Sequence, residues 1–284
     1  MKPGVDMIIQ QIPELPGADE IFEKYIPGRL KFLLSSPQTK HLSIRQVIKY
    51  SKGSIPMDYI EKLDAALKAR FGTTYLTDAE KEKISRYRQL ASSVRKPYAA
   101  PVQRHAFYPG QPITDTEGKR IHAHGGAILE EDGFYYWYGE NKEFTDGTSD
   151  IWTWGVKAYR STDLYNWTDM GQIIDPVLDD PDSVLFPDMR IDRPHILKND
   201  RTGKYVCWIH LAGKVSGFLI MQADSFLGPY EIVDPCYRPE GYDAGDFDLV
   251  KDEDGTAYLY YDIQHSTVIG MKLTADYLQV AETV

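Results

Sequence analysis

The chain is poor in cysteine, with Cys207 and Cys236 alone among 284 residues. Two thiols cannot build a disulfide framework, and neither stands at metal-ligand spacing, so their scarcity fits a reducing compartment. Cys207 falls in an apolar strand pattern and Cys236 in an expected loop. No apolar run reaches the roughly 20 residues that span a bilayer. The start, Met1-Lys-Pro-Gly-Val-Asp6, lacks the charged and then apolar runs of a secretory leader. These absences read as a soluble, cytoplasmic protein. Basic charge is also scarce over most of the length. Residues 105–284 hold 14 Lys+Arg against 31 Asp+Glu, a net of −17, whereas residues 1–104 hold 18 against 11, a net of +7, and the two sum to −10. So acidic a segment repels phosphates, which excludes nucleic acid as its partner. It suits a neutral, polyhydroxylated ligand held by carboxylates, although a solvated acidic surface accounts for most of these charges.

Aromatic residues are plentiful, at 12 % with 20 Tyr and 5 Trp, and they suit β-strands and sugar-binding surfaces equally. Many of them fall in three copies of one pattern. The copies are Gly126-Ala-Ile-Leu-Glu-Glu-Asp-Gly133-Phe-Tyr-Tyr-Trp-Tyr138, Pro194-His-Ile-Leu-Lys-Asn-Asp-Arg-Thr-Gly203-Lys-Tyr-Val-Cys-Trp208 and Phe247-Asp-Leu-Val-Lys-Asp-Glu-Asp-Gly255-Thr-Ala-Tyr-Leu-Tyr-Tyr261. Each is an apolar run, an acidic turn with Gly, and an aromatic strand. A hairpin recurring at such a period means stacked sheets of one kind, and β-propeller blades lead the candidates. Three short turn-rich segments, Ser161–Trp167, Asp224–Tyr230 and Thr274–Leu278, each precede an expected outer strand.

Residues 1–100 carry a different period and read as a small helical module. Ser43-Ile-Arg-Gln46 and Thr77-Asp-Ala-Glu80 have the form of capping boxes. Ile60, Leu63, Leu67 and Phe71 share one helical face, with Gly72 as the terminating residue. Helices are expected near 19–34, 44–51, 57–71 and 78–92. The pair 44–51 and 57–71, joined by a short Gly-containing turn, admits a helix-turn-helix reading, but nothing marks a recognition helix and a packing module is preferred. Residues 101–121, with Pro101, Pro109 and Pro112, read as a linker or extended strap. Strands are expected across 122–284.

Several motifs in the strand-rich part occur together: His122-Ala-His-Gly-Gly126, Trp137-Tyr-Gly-Glu140, Ser161-Thr-Asp-Leu-Tyr-Asn-Trp167, Asp192-Arg-Pro-His195, Thr202-Gly-Lys-Tyr205, Leu227-Gly-Pro-Tyr230 and Gly245-Asp-Phe-Asp-Leu249 before Asp252-Glu-Asp-Gly255. In this order they resemble glycoside hydrolase family 43, a family of five-bladed β-propellers, and within it the exo-β-1,3-galactanase branch. The resemblance covers about residues 105–284. It implies an inverting, exo-acting glycosidase working on plant-type β-galactan, arabinan or xylan side chains. That reaction needs a carboxylic acid on the leaving oxygen and a base for water on the opposite face. A third carboxylate orients the acid and holds up its pKa.

Carried over residue by residue, Asp246 matches that third carboxylate, with Asp248 as a neighbouring substrate-binding alternative. Asp192 stands where the branch usually has a sugar-contacting Glu, and Arg193 is expected to pair with it. Glu140 matches a sugar-binding carboxylate, and His124 lines the same pocket. Trp137 and Trp208 are stacking candidates for which core packing is preferred. No organic cofactor is implied; a structural calcium is, with His265 as a weak candidate for its neighbourhood. The acidic Glu is expected about 50 residues after Asp246. Three repeats where the family has five point to a piece of a longer polypeptide, the missing blades coming otherwise from another chain or a homo-oligomer. Two alternatives remain: a non-catalytic carbohydrate-binding propeller, and an assembly module whose helices recruit a partner.

Overall fold

The computed structural model describes residues 1–37, 39–51, 55–56, 58–93, 96–213, 215–263 and 265–284. They divide into two compact units, Met1–Gln89 and Leu90–Val284. The first is helical and the second is built from strands, so the chain is mainly β with a few helices before it. No described helix is long and apolar enough to cross a membrane.

In the helical unit a 3-10 turn, Ile9–Glu14, precedes α1 (Ala18–Tyr25), α2 (Leu30–Ser35), α3 (Ile44–Tyr50), α4 (Tyr59–Phe71) and α5 (Asp78–Ala91). The helix expected near 19–34 is therefore two helices. Pro27 biases Ile26 away from helical geometry, and Gly28 takes a left-handed φ of 71°, so the chain turns between them. Both capping boxes form. Gln46 N donates to Ser43 Oγ while Ser43 N donates to Gln46 Oε1, and Thr77 and Glu80 do the same. Ile60, Leu63 and Leu67 of α4 join Val5, Ile9, Phe22 and Ile48 in one apolar core. The Gly-containing turn between α3 and α4 falls largely on residues 52–54, outside the described residues.

The second unit opens with an extended strap, 96–121, and continues, among the described residues, as twelve strands in three antiparallel four-stranded sheets. The first holds β1 (His124–Glu131), β2 (Phe134–Glu140), β3 (Val156–Ser161) and β4 (Thr168–Ile174). The second holds β5 (Ile191–Lys198), β6 (Tyr205–Ala212), β7 (Ser216–Ala223) and β8 (Glu231–Tyr237). The third holds β9 (Phe247–Lys251), β10 (Ala257–Ile263), β11 (Thr267–Leu273) and β12 (Val280–Thr283). Each is a simple meander, the topology of a propeller blade. β5, the first strand of the middle sheet, packs against β1 and β2 on one side and β9 on the other. Cys236, expected in a loop, lies in β8.

The repeat explains how the sheets stack. Counted from the turn glycine, residues three and five later face the next sheet: Tyr136 and Tyr138 pack on the second, Val206 and Trp208 on the third. Residues two and four later face the previous sheet: Tyr205 and Cys207 on the first, Ala257 and Leu259 on the second. Each large side chain fully buried at such a junction contributes about 1.5–3 kcal/mol. Tyr138 also accepts the N–H of Ile196 at 2.8 Å, and Trp208 Nε1 donates to Tyr277 O at 2.9 Å, so both junctions carry a buried polar tie. Two faces are left over. Tyr260, Val250 and Val268 of the third sheet are exposed, Val268 at 73 %. The other is the face of the first sheet that bears Trp137 and Ile128, where strap residues Phe107, Tyr108 and Ile113 take the place a sheet holds elsewhere.

The strap is pinned by the turn before β4. Asp163 accepts from Asn166 Nδ2 (2.7 Å), Asn166 N (2.8 Å), Tyr165 N (2.9 Å) and Ser161 Oγ (2.9 Å). Asn166 in turn bonds Arg104 through both its N–H and its C=O, each at 2.8 Å. The Asn166 amide above all, with the backbone donors, holds the Asp163 carboxyl well below its ordinary value of 3.8. A carboxyl lowered on folding stabilises the native state above its unfolded pKa and loses that effect as pH falls through the folded value. Asp163→Ala should therefore lower the thermal unfolding midpoint at pH 7, and the two proteins should converge from about pH 4 downward. Midpoints followed by circular dichroism from pH 7 to pH 2 test this, and an undiminished gap at the acid end contradicts it.

Candidate active site

The entry ends of β1, β5 and β9 lie together, and they carry most of the residues singled out in the sequence. Glu140, the last residue of β2, pairs with His124, the first of β1. Its side chain is 1 % exposed. A carboxylate so deeply buried needs donors or cations around it. Arg193 N donates to Oε1 at 2.9 Å, and His124 Nδ1 lies 3.2 Å from the same oxygen. Lys142 Nζ stands 2.6 Å from Oε2. Lys142 Nζ also donates to Trp152 O (2.8 Å) and Thr153 Oγ1 (3.1 Å), so the cation that pairs with Glu140 is itself held in place.

Two local conformations make this cluster fit. Gly125 has φ 60°, and a Cβ there would lie 2.7 Å from Glu140 Oε1. Glycine thus satisfies a left-handed backbone and a close approach at once. Arg193 also has a left-handed φ, 54°, at the irregularity in β5 between Asp192 and His195. Strain of this kind in a non-glycine residue marks a backbone over-determined by its surroundings. Here the result is that its N–H meets Glu140 while its guanidinium reaches the third sheet.

That guanidinium pairs with Asp246, with Nη2 2.8 Å from Oδ2. The pairing expected between Arg193 and Asp192 does not occur, because the left-handed turn sends the two side chains apart. Asp192 Oδ1 instead accepts from Trp152 Nε1 at 2.6 Å. Two cations lie over the Trp152 ring, Lys142 Nζ at 4.5 Å and the Arg190 guanidinium at 4.7 Å from its centre. Burial pushes the Asp192 carboxyl above its ordinary value and nearby Glu140 adds to this, while the Trp152 bond and the Lys142 charge pull the other way.

Asp246 just precedes β9, and its backbone is fixed by Asp262: Gly245 N donates to Asp262 O, and Asp262 N donates to Asp246 O, both at 2.9 Å. Asp248 lies two residues further on, bound to His195 Nδ1 at 2.6 Å, and that bond holds its carboxyl below the ordinary value. Asp246 and Asp248 thus each take a partner from β5. The site as a whole brings Glu140, His124, Asp192 and Asp246 together, with the exposed Asp248 beside it on His195.

The aromatic candidates separate. Trp208 is fully buried between the second and third sheets, which removes it as a stacking platform. Trp137 packs edge-on to Trp167, with ring centres 5.5 Å apart, on the strap side of the first sheet. The calcium implied by the resemblance finds no fit: among the described residues no three His, Cys, Asp or Glu side chains gather to hold an ion. His265 Nδ1 lies 2.9 Å from Asp262 Oδ2. Sequence reasoning missed Lys142 and Trp152. Their signal was present in Glu140-Asn-Lys142 and Trp152-Thr-Trp154, a cation and an indole just beyond a buried acid.

Removing one partner of a buried ion pair leaves an uncompensated charge and costs about 3–5 kcal/mol. Lys142→Met should destabilise the second unit by about 3 kcal/mol, and adding Glu140→Gln should recover part of that loss. Urea unfolding of the two single variants and the double variant, followed by tryptophan fluorescence, tests the coupling. Strictly additive effects would contradict it.

No family model and no curated protein sequence matches the chain. Solved structures do. The exo-β-1,3-galactanase of Phanerochaete chrysosporium matches with a TM-score of 0.56 and 29 % identity, over 62 % of this chain and 40 % of that one. A family 43 β-1,3-galactosidase matches equally well, with a TM-score of 0.56 and 29 % identity, over 64 % of this chain and 38 % of its own. The exo-β-1,3-galactanase of Clostridium thermocellum matches with a TM-score of 0.52 and 28 % identity, over 61 % and 39 %. The chain thus spans about two-fifths of the length of these neighbours. Over some 60 % of its length it is related to glycoside hydrolase family 43, on the side of the exo-β-1,3-galactanases.

Proposed function

We propose that residues 122–284 form the first three blades of a five-bladed propeller whose complete form is an inverting exo-glycosidase removing terminal galactose from β-1,3-galactan. One observation carries the reading: Glu140, Asp192, Arg193 and Asp246, from all three sheets, converge at one end of the first strands. Galactan is preferred over arabinan and xylan because the neighbours above are β-1,3-galactanases and a β-1,3-galactosidase. The exposed third-sheet face, with Val250, Tyr260 and Val268, occupies the repeat positions that bury Tyr138 and Trp208 elsewhere, and it takes the next blade.

In this reading the terminal sugar enters over His124 and Asp192, whose imidazole and carboxylate bind its hydroxyls, with Glu140 buried beneath them. Lys142 and Trp152 keep the two carboxylates in fixed orientations. Asp246, held by Arg193 and by the Asp262 backbone, orients the general acid and raises its pKa by like-charge proximity. The acid is a Glu supplied from outside these three blades. It protonates the leaving oxygen as water attacks the anomeric carbon from the opposite face and gives up its proton to a base, which breaks the glycosidic bond and yields the inverted anomer.

Two measurements test this. Proton NMR of β-1,3-galactobiose hydrolysed by the complete polypeptide should show α-galactose first; β-galactose first would overturn the inverting assignment. Asp246→Asn should lower kcat by 100-fold or more with a smaller change in KM, the pattern of a group acting in the transition state (on the order of 10²–10⁴ for acid–base assistance). An unchanged kcat would remove Asp246 from the machinery.

A further inference from the structure

In β2, β6 and β10 the forward-facing row of side chains ends on an ionisable residue. Seven residues after the turn glycine stand Glu140 in the first sheet, His210 in the second and Asp262 in the third. The position continues the row of Tyr136 and Tyr138 in the first sheet, and that of Val206 and Trp208 in the second. Glu140 and His210 are both buried there. A buried polar side chain on a packed face needs a partner.

Both find it in the backbone that leads into the next sheet. Glu140 accepts the N–H of Arg193 in β5. His210 Nε2 lies 2.9 Å from Ala244 O, just before β9. A carbonyl oxygen only accepts, so Nε2 carries the proton and His210 donates. One repeat position thus does one task with opposite polarity. A carboxylate stands where the neighbouring backbone offers N–H, and an imidazole where it offers C=O.

Ala244 lies two residues before Asp246. From the third sheet, the Asp262 main chain takes Gly245 N and gives its own N–H to Asp246 O. The fit there is close: a Cβ on Gly245 would fall 2.8 Å from the Asp262 carbonyl oxygen. His210 adds a tie from the second sheet. Its ring packs beside Phe218, with centres 6.4 Å apart, so surrounding side chains hold the donor in place. Asp192 pairs with His210 across β5 and β6, but its carboxyl is taken by Trp152.

We propose that His210 is a positioning residue for the glycosidase chemistry: its hydrogen bond to Ala244 fixes the main chain that carries Asp246, and so the place from which that carboxylate acts on the general acid. The inference rests on the reading of Asp246 given above. Arg193 aims the Asp246 side chain, and His210 and Asp262 hold the backbone beneath it. A misplacement of about 1 Å in such a group costs on the order of 100-fold in rate.

Two arms of one experiment test this. In the 284-residue chain, ¹H–¹⁵N correlation spectra are compared for His210→Leu, which removes the donor, and His210→Gln, whose amide keeps one at nearly the same reach. His210→Asn, whose amide stops short of Ala244, repeats the loss with a polar side chain. The Gly245, Asp246 and Asp262 amide signals should move in the Leu and Asn variants and return toward their original positions in the Gln variant. Signals that stay put in the first two, or that move equally in all three, overturn the tie whatever the activity. In the complete polypeptide acting on β-1,3-galactobiose, His210→Leu should lower kcat about 10- to 100-fold with KM within about threefold, and His210→Gln should recover most of the loss. Added to Asp246→Asn, His210→Leu should cost no more than about twofold further, because it acts through Asp246. A loss carried by KM would put His210 among the sugar contacts, and a fully additive loss would make it a structural residue; either overturns the proposal. A complete polypeptide that leaves the disaccharide intact overturns the sugar reading and the catalytic consequence drawn for His210, while the spectra still decide the tie.

Discussion

A carboxylate removed from water has to be met by donors from several directions, and the way Glu140 meets that demand organises the strand-rich unit. Its oxygens collect a lysine from the following loop, an imidazole from β1 and a backbone N–H from β5. The last of these fixes Arg193 in a left-handed conformation that costs about 1–3 kcal/mol by itself. That conformation turns its guanidinium toward Asp246 on the third sheet. A single buried charge on the first sheet thus sets the backbone of the second, which sets the ion pair with the third. Apolar packing alone would stack these sheets; it would not fix which polar groups face one another at their entry ends.

The stacking follows from the repeat with little freedom. Alternation in each second strand gives every sheet one face forward and one back, and a slip of one residue would exchange them. Tyr138, Trp208 and Tyr260 hold equivalent positions, and only the first two are covered. On the rearward face of the first sheet lies the strap, which Asn166 clamps at Arg104.

Much of this was legible in the residues. Both capping boxes, the three hairpins and the outer strands were readable because each rests on local chemistry: a side chain reaching three residues back, or a glycine in an acidic turn. The break between α1 and α2 was also local, and Pro27-Gly28 overrode a helical period that runs through it. The site was legible only in part. Glu140, Asp192, His124 and Asp246 could be picked out by resemblance, but their partners are decided by tertiary geometry. Nothing in the order Asp192-Arg193 reveals that one left-handed residue sends the acid to Trp152 and the base to Asp246.

That separation bears on the shorter acid at position 192. A Glu there would reach one methylene further from β5, whereas Asp192 is drawn back onto the Trp152 indole by a 2.6 Å hydrogen bond. The indole itself carries cation contacts from Lys142 and Arg190, so it cannot shift without giving them up. A half-buried carboxyl pushed upward by burial and by Glu140 gains from any new donor, and a sugar hydroxyl is such a donor. Asp192 therefore sits back against Trp152 rather than reaching forward from β5.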